Sequence, residues 1–307
     1  MRKIQVVLIL LFSISSFFAF AEGEREVQAV SNVTKVESGI TVIDSYNRSV
    51  TIPGPALRVV SAAPSVTETI FALGKGDTLV GRTDYCDYPE EVKSIKSIGN
   101  LQEPDIEAIA ELAPDIVIAS THFKKESVDK LTALSIPVVV LADQDSFEGA
   151  YTTIKKIARL TGSQNSSSDL IESMKKTVNS VIKAVKGKDT PSLYYVIGFG
   201  EYGDFTAGGD TFINQIIEMA GGNNIASDVK GWSFSLEQIV DSDPDILVCS
   251  KYWNAKKSIL ATNGYKDLRA IKDGNLFEID NNMLDRQGPR LAERLKAHAA
   301  IIHPDAF

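Results

Sequence analysis

Residues 105–120 read DIEAIAELAPDIVIAS, and residues 235–250 read SLEQIVDSDPDILVCS. Laid end to end, the two stretches share Glu107 with Glu237, Ile109 with Ile239, Pro114 with Pro244, Asp115 with Asp245, Ile116 with Ile246 and Ser120 with Ser250, at a constant offset of 130 residues. A solenoid repeat of roughly 20 to 50 residues is too short for that offset, whereas a domain is about that long. Each copy predicts a short amphipathic helix, a Pro-Asp stop and a continuous apolar run of strand length. The repetition predicts a protein of two similar lobes.

The rest of the chain fits two α/β units. ITVIDSYNRSVTIP gives two β-rich runs around Tyr46 and Asn47, a predicted hairpin. RVVSAAPSVTETIFALG reads as a strand and then a helix that opens with Ser65 and Glu68 in capping-box spacing and ends at Gly74. DTLVGRT, the first repeat and KKESVDKLTALSIPVVVLA continue the alternation. After them, Leu170, Ile171, Met174, Val178, Val181, Ile182 and Val185 form a helical stripe closed by Gly187 and Pro191. From Ser168 to Lys186 that is roughly 28 Å of helix, placed midway between the repeats as a strut. SLYYVIGFG, GGDTFINQIIEMAGG, the second repeat, GNLFEID and GPRLAERLKAHAAIIHP then alternate strand and helix again. Alternating strands and helices predict parallel sheets covered on both faces. The expected organisation is a signal peptide over 1–21, a leader and hairpin over 22–57, a first lobe over 58–162, a linking helix over 163–190 and a second lobe over 191–307.

The amino terminus, MRKIQVVLILLFSISSFFAFAEGE, places Arg2 and Lys3 before an apolar run that ends in Ala19-Phe20-Ala21. This is the pattern of a secretory signal peptide cleaved before Glu22. An uncleaved anchor is the rival reading, and the serines of the run together with its small-residue end argue for cleavage. No cysteine follows the run to carry a lipid. Losing Arg2, Lys3 and no acid takes the formal charge from −8 to −10, which argues against nucleic acid and anionic membranes as partners. Cys86 falls in a loop and Cys249 ends an apolar run. The two do not read as a disulfide pair, and Cys249 reads as a small buried hydrophobe.

The segments SYNRSVTIP, RVVSAAPSVTETIFALG, VGRTDYCDYPEEV, DIEAIAELAPDIVIAS, FTAGGDTFINQIIEMAGG, SLEQIVDSDPDILV and RQGPRLAERLKAHAAIIHPDAF, in that order, resemble the periplasmic substrate-binding proteins of cobalamin, ferric-siderophore and haem ABC importers over residues 40 to 307. TDYCDYP is most similar to the vitamin B12-binding branch. The resemblance implies two Rossmann-like lobes joined by one long helix, a ligand held in the cleft between them, a periplasmic location, and an ABC permease dimer as the membrane partner of a monomeric receptor. It also implies that a glutamate at the position of Glu107 and Glu237 in each lobe pairs with arginines of the two membrane subunits. A matching acid on each lobe suits a two-fold partner. The plainer reading of both glutamates is first-turn stabilisation of a helix, worth roughly 0.3–1 kcal/mol each, behind Asp105 and Ser235 as N-caps.

Ligands of open α/β sheets sit at the carboxyl ends of the strands. Tyr85, Tyr88, Phe123, Phe199, Tyr202, Phe205 and Trp232 all follow predicted strands and would grip a large flat ligand such as a corrin. The resemblance places Tyr85 and Trp232 at aromatic ligand contacts and Arg286 at a polar one. An ion pair of Arg286 with Asp285 or Asp280 is the alternative. Leu101 stands where the B12-binding branch has a cleft tryptophan, and Asn282 where it has an aspartate. An iron siderophore or haem is the alternative cargo.

Catalysis and resident cofactors find no support. His122, His298 and His303 are the only histidines, too few for the closed sites of free-metal receptors. His122 could at most ligate haem iron, and reads more simply as a solvated loop residue. The Gly-rich turn TAGGDTF could cradle an anion ahead of a helix, but matches neither a Walker A nor a G-x-G-x-x-G pattern. Ser65 has no evident base and reads as an N-cap. An exported hydrolase is the rival from another class.

Overall fold

The computed structural model describes residues 39–307, except 144 and 202 and the side chains of 284 and 285. The signal peptide expected over 1–21 and the start of the leader lie outside the described residues, as does Tyr202. Strands β1 (Ile40–Ile43) and β2 (Ser49–Ile52) form an antiparallel hairpin with Ile40 opposite Ile52. The first lobe follows as β3 (Val59–Ser61), α1 (Pro64–Ala72), β4 (Leu79–Arg82), α2 (Ile106–Glu111), β5 (Ile116–Ala119), α3 (Lys125–Ala133) and β6 (Val138–Val140). Two helices, α4 (Phe147–Thr161) and α5 (Gln164–Val185), lead to β7 (Ser192–Val196), α6 (Phe212–Met219), β8 (Asn223–Asn224), α7 (Leu236–Ser242) and β9 (Ile246–Ser250). The chain ends with α8 (Ala255–Ala261), α9 (Arg269–Lys272), β10 (Leu276–Ile279), α10 (Asn282–Asp285) and α11 (Leu291–Ile302). Among the described residues no helix is long and apolar enough to cross a membrane.

The two sheets have one topology. In the first the order is β4-β3-β5-β6, and in the second β8-β7-β9-β10, all parallel. The repeated sequence is therefore the same piece of each lobe: α2 with β5, and α7 with β9. Its Pro-Asp does more than stop a helix. Asp115 Oδ2 accepts the backbone N–H groups of Leu57 and Arg58 at the start of β3. Asp245 Oδ2 accepts the N–H and the hydroxyl of Ser192 at the start of β7. In both lobes the aspartate tethers the central strand to its neighbour by satisfying donors that the sheet leaves over.

Alternation along the strands divides the core into layers. Ile116 and Ile118 face a cluster that contains α4, α5 and α11, while Val117 and Ala119 face a second cluster under α2 and α3. Ile246 and Val248 join the first cluster, and Leu247 and Cys249 a third one with Tyr194, Ile239 and Tyr265. This is the two-residue period of a sheet buried on both faces. The strut α5 runs 22 residues, ~33 Å, four residues longer at its start than the apolar stripe predicts. It buries Ile171, Met174, Val178 and Val181 in the cluster that takes Val59 and Ile154 on one side and Leu193 and Leu295 on the other. The lobes thus share one continuous apolar core.

His298 on α11 is wholly buried beside the ring of Tyr195. Burial first, and then the charge of Arg294, push its pKa down to about 3. An unfolded chain takes a proton on this imidazole below about pH 6.5, while the folded one refuses it until about pH 3, so stability is lost as the pH falls through that window. Between pH 7 and 5 the linkage amounts to about 2 kcal/mol. Replacing His298 by Gln should flatten the fall in unfolding free energy over that range relative to wild type, measured by urea denaturation at each pH. Parallel pH profiles for the two proteins would contradict this account.

Candidate functional site

The loops at the carboxyl ends of the two sheets meet, and the contact is built around Glu68. The expected capping box is not there. Helix α1 opens with Pro64 behind Ala63, an extended residue without side-chain capping, so Ser65 already lies inside the helix. The Glu68 carboxylate is freed to point across to the second lobe. With 2% of its side chain exposed, it accepts from Arg286 Nη1 at 2.9 Å and from Arg290 Nε and Nη2 at 2.8 and 2.6 Å. Arg286 Nη1 also donates to Asp87 at 2.5 Å and its Nη2 to the Tyr85 carbonyl at 3.2 Å. Asn282 Nδ2 reaches the other oxygen of Asp87 at 3.4 Å. Burial opposes both guanidinium charges, but the carboxylates of Asp87 and Glu68 outweigh it and hold the two groups more basic than free arginine. Arg286 therefore takes its carboxylate partners from the first lobe rather than from Asp280, and the side chain of Asp285 lies outside the described residues. The Asp280 carboxylate is taken instead by Lys251 Nζ at 2.9 Å and the Tyr252 hydroxyl at 3.1 Å.

On the first lobe, Tyr85 and Tyr88 leave about half of their surface exposed. The Arg290 guanidinium lies 4.1 Å from the centroid of Tyr88, so that ring is partly covered by a cation–π contact. Beneath this loop Cys86 is buried as a free thiol, with the Thr67 hydroxyl 3.1 Å from its sulfur. Cys249 is also buried and free, its pKa pushed up to about 11 by burial and then by Glu278. That thiol is inert at neutral pH.

On the second lobe, Phe205 bridges in backbone hydrogen bonds to Gly198, and Thr206 N–H donates to the Trp232 carbonyl at 2.8 Å. Phe205 and Trp232 thereby sit on adjoining segments, Trp232 half exposed. The wholly buried Tyr265 donates its hydroxyl to Asp204 at 2.6 Å and fixes the residue before Phe205. The Gly-rich turn serves the same loop. Gly208 and Gly209 donate their N–H groups to the carbonyls of Gly231 and Val229, and a Cβ on Gly209 would lie 1.8 Å from the Ser227 carbonyl oxygen. These two amides hold the segment that carries Trp232.

Two expected cleft aromatics are withdrawn from the surface, one fully and one in part. Phe123 is 1% exposed in the core of the first lobe, because the loop after β5 turns it back under α3. Phe199 is half-buried, its ring 5.8 Å from that of Tyr265. His122 is exposed, and among the described residues no three His, Cys, Asp or Glu side chains converge as a metal site. Leu101 is only half-buried, and Asn282 has become part of the contact between lobes. The sequence reading missed Glu68, Asp87 and Arg290, whose roles depend on partners about 200 residues away. It also passed over Trp253, the most exposed large hydrophobic residue described, at 81%. A signal for it existed, since the offset of 130 places it opposite Phe123.

A four-stranded parallel sheet in each lobe, a shared strut and facing carboxyl-end loops are the frame of a two-lobed receptor. Residues 59–283 match the family described as periplasmic binding protein. The chain belongs to that family. It is 31% identical over 274 residues to an uncharacterized ABC transporter substrate-binding lipoprotein of Bacillus subtilis, covering 87% of each chain. It is 29% identical over 277 residues to a cobalamin-binding protein of Halobacterium salinarum, covering 86% of this chain and 74% of the relative. Among solved structures it is similar to a possible iron-binding (periplasmic solute-binding) protein from Staphylococcus epidermidis, with a TM-score of 0.71, 29% identity, and coverage of 81% of this chain and 99% of the other.

Removing one partner from a buried ion cluster leaves the others charged and unpaired, at about 3–5 kcal/mol. Glu68→Ala should therefore lower the unfolding free energy by about that amount, read from urea denaturation. An unchanged midpoint would show that the two arginines find solvent without it.

Proposed function

We propose that this periplasmic binding protein is the receptor of an ABC importer, which captures a corrinoid between its lobes and delivers it to a membrane permease. The observation that carries this reading is the pairing of exposed aromatic faces, Tyr85 on one lobe and Trp232 on the other, with cations that are already neutralised. Arg286, Arg290 and Lys251 each have a carboxylate partner. Such a cleft suits a large flat ligand fringed by neutral amides better than one carrying several carboxylates, because an anionic cargo would have to displace those partners. The cobalamin-binding relative from Halobacterium salinarum supports the same cargo. An iron chelate is the second reading, supported by the similar structure from Staphylococcus epidermidis. The protein acts as a monomer exported by a signal peptide cleaved before Glu22. It binds and releases its ligand without chemical turnover.

Glu107 and Glu237 are the docking residues of this reading. Both are exposed in the first turns of α2 and α7, behind the N-caps Asp105 and Ser235. Among the described residues neither makes an ion pair within the chain, which leaves each carboxylate available to a cation on a partner.

Titration of the purified protein with cyanocobalamin, with haem and a ferric siderophore in parallel, should give saturable submicromolar binding of the corrinoid, weakened at least about tenfold by Tyr85→Ala or Trp232→Ala. A tenfold weakening corresponds to about 1.4 kcal/mol, the scale of a single aromatic stacking interaction. Binding of haem or the siderophore in its place would change the cargo and keep the receptor, and binding of none would overturn the reading. Reversing both docking charges, Glu107→Lys with Glu237→Lys, should abolish cellular uptake and leave affinity intact. Normal uptake by that double variant would remove the docking assignment.

A further inference from the structure

We infer that Trp253 is a further ligand-binding residue, which lies against a flat unsaturated face of the cargo; this rests on the proposed receptor function and adds a binding residue to it. The repeat supplies an internal control. Thr121-His122-Phe123 after β5 and Lys251-Tyr252-Trp253 after β9 are the same positions at the offset of 130. In the first lobe the third residue folds inward and is 1% exposed, and in the second it is 81% exposed. The fold therefore has a way to bury an aromatic side chain here, and the second lobe does not take it.

The outward position is held by structure. Trp253 and Asn254 both adopt left-handed backbone conformations, with φ of 57° and 53°, which side chains other than glycine disfavour. Strain of this kind persists only where the surroundings impose it, and collects at ligand sites. The neighbouring Tyr252 is itself anchored. Its ring lies 5.7 Å from that of Trp253 at 58°, its hydroxyl donates to Asp280, and Lys251 reaches the same carboxylate. Asn282 Nδ2 lies 3.3 Å from that hydroxyl and 3.4 Å from Asp87 of the first lobe. Trp253 thus stands beside the seam where the two lobes meet, at the carboxyl end of a central strand, where ligands of such sheets bind. A rigid, exposed indole costs little conformational entropy when it is covered and offers its full face to a conjugated ring. The flat unsaturated face of a tetrapyrrole-like or aromatic chelate is the occupant that matches.

The test uses the full mature protein and equilibrium dialysis against cyanocobalamin, haem and a ferric catecholate. Trp253→Ala should weaken whichever of these the wild type binds by at least about tenfold, Trp253→Phe should weaken it less, and both should keep the far-ultraviolet circular dichroism and thermal midpoint of wild type. In Trp232→Phe, Trp253 is the remaining tryptophan of the two, and saturating ligand should shield its emission from iodide. Wild-type binding with an unchanged Trp253→Ala and no shielding removes this inference alone. Unchanged binding with abolished uptake would assign Trp253 to the membrane partner and also overturn it. A wild type that binds none of the three removes the proposed function, and this inference with it.

Discussion

The buried carboxylate of Glu68 between Arg286 and Arg290 is the constraint on which the arrangement of the cleft depends. A charge removed from water is tolerated only when it is paired and fully hydrogen-bonded, so a helix of one lobe and a segment of the other must stay in register to within a few tenths of an ångström. The cluster need not add net stability against an apolar replacement. What it supplies is specificity, since Arg286 also holds Asp87 and the Tyr85 carbonyl and so carries the register out to the aromatic loop at the mouth.

The shared core works with that clasp. Because α5 contributes Ile171, Met174 and Val181 to a cluster that contains residues of both sheets, separating the lobes widely would expose apolar surface at roughly 25 cal/mol per Å². The loops on which Tyr85, Trp232 and Trp253 stand exposed lie outside that shared core. The duplication sets two versions of one scaffold side by side. Asp115 and Asp245 keep one structural task in both lobes, whereas Phe123 and Trp253 occupy one position and have opposite surroundings.

The strands and their faces were legible from the sequence because their cause is local. Ile116 and Ile118 alternate with Val117 and Ala119 at the period of the pleat, and α5 shows its stripe at the helical period. The matching glutamates Glu107 and Glu237 were legible because the repeat displays them twice. The capping-box reading of Ser65 and Glu68 failed for a physical reason. The spacing is a local pattern, but Pro64 starts the helix two residues sooner, with Ala63 in place of Ser65 before it, and the glutamate has stronger partners than a backbone N–H. The cleft reading of Phe123 failed because a loop after a strand can turn an aromatic inward or outward, and the choice is made by what packs around it.

By itself the sequence determined the local elements, their burial faces and the two-lobed plan, since each follows from the spacing of apolar residues and from turns and caps within a few positions. Only the tertiary structure decided which charges meet and which aromatics stay in water. Glu68 and its arginines are separated by 218 and 222 residues, and Phe123 and Trp253 differ in the packing around them. An ion pair requires two groups within about 4 Å, and burial requires a neighbour to exclude water. Both conditions are set by the folded arrangement of distant segments, which no short stretch of chain contains.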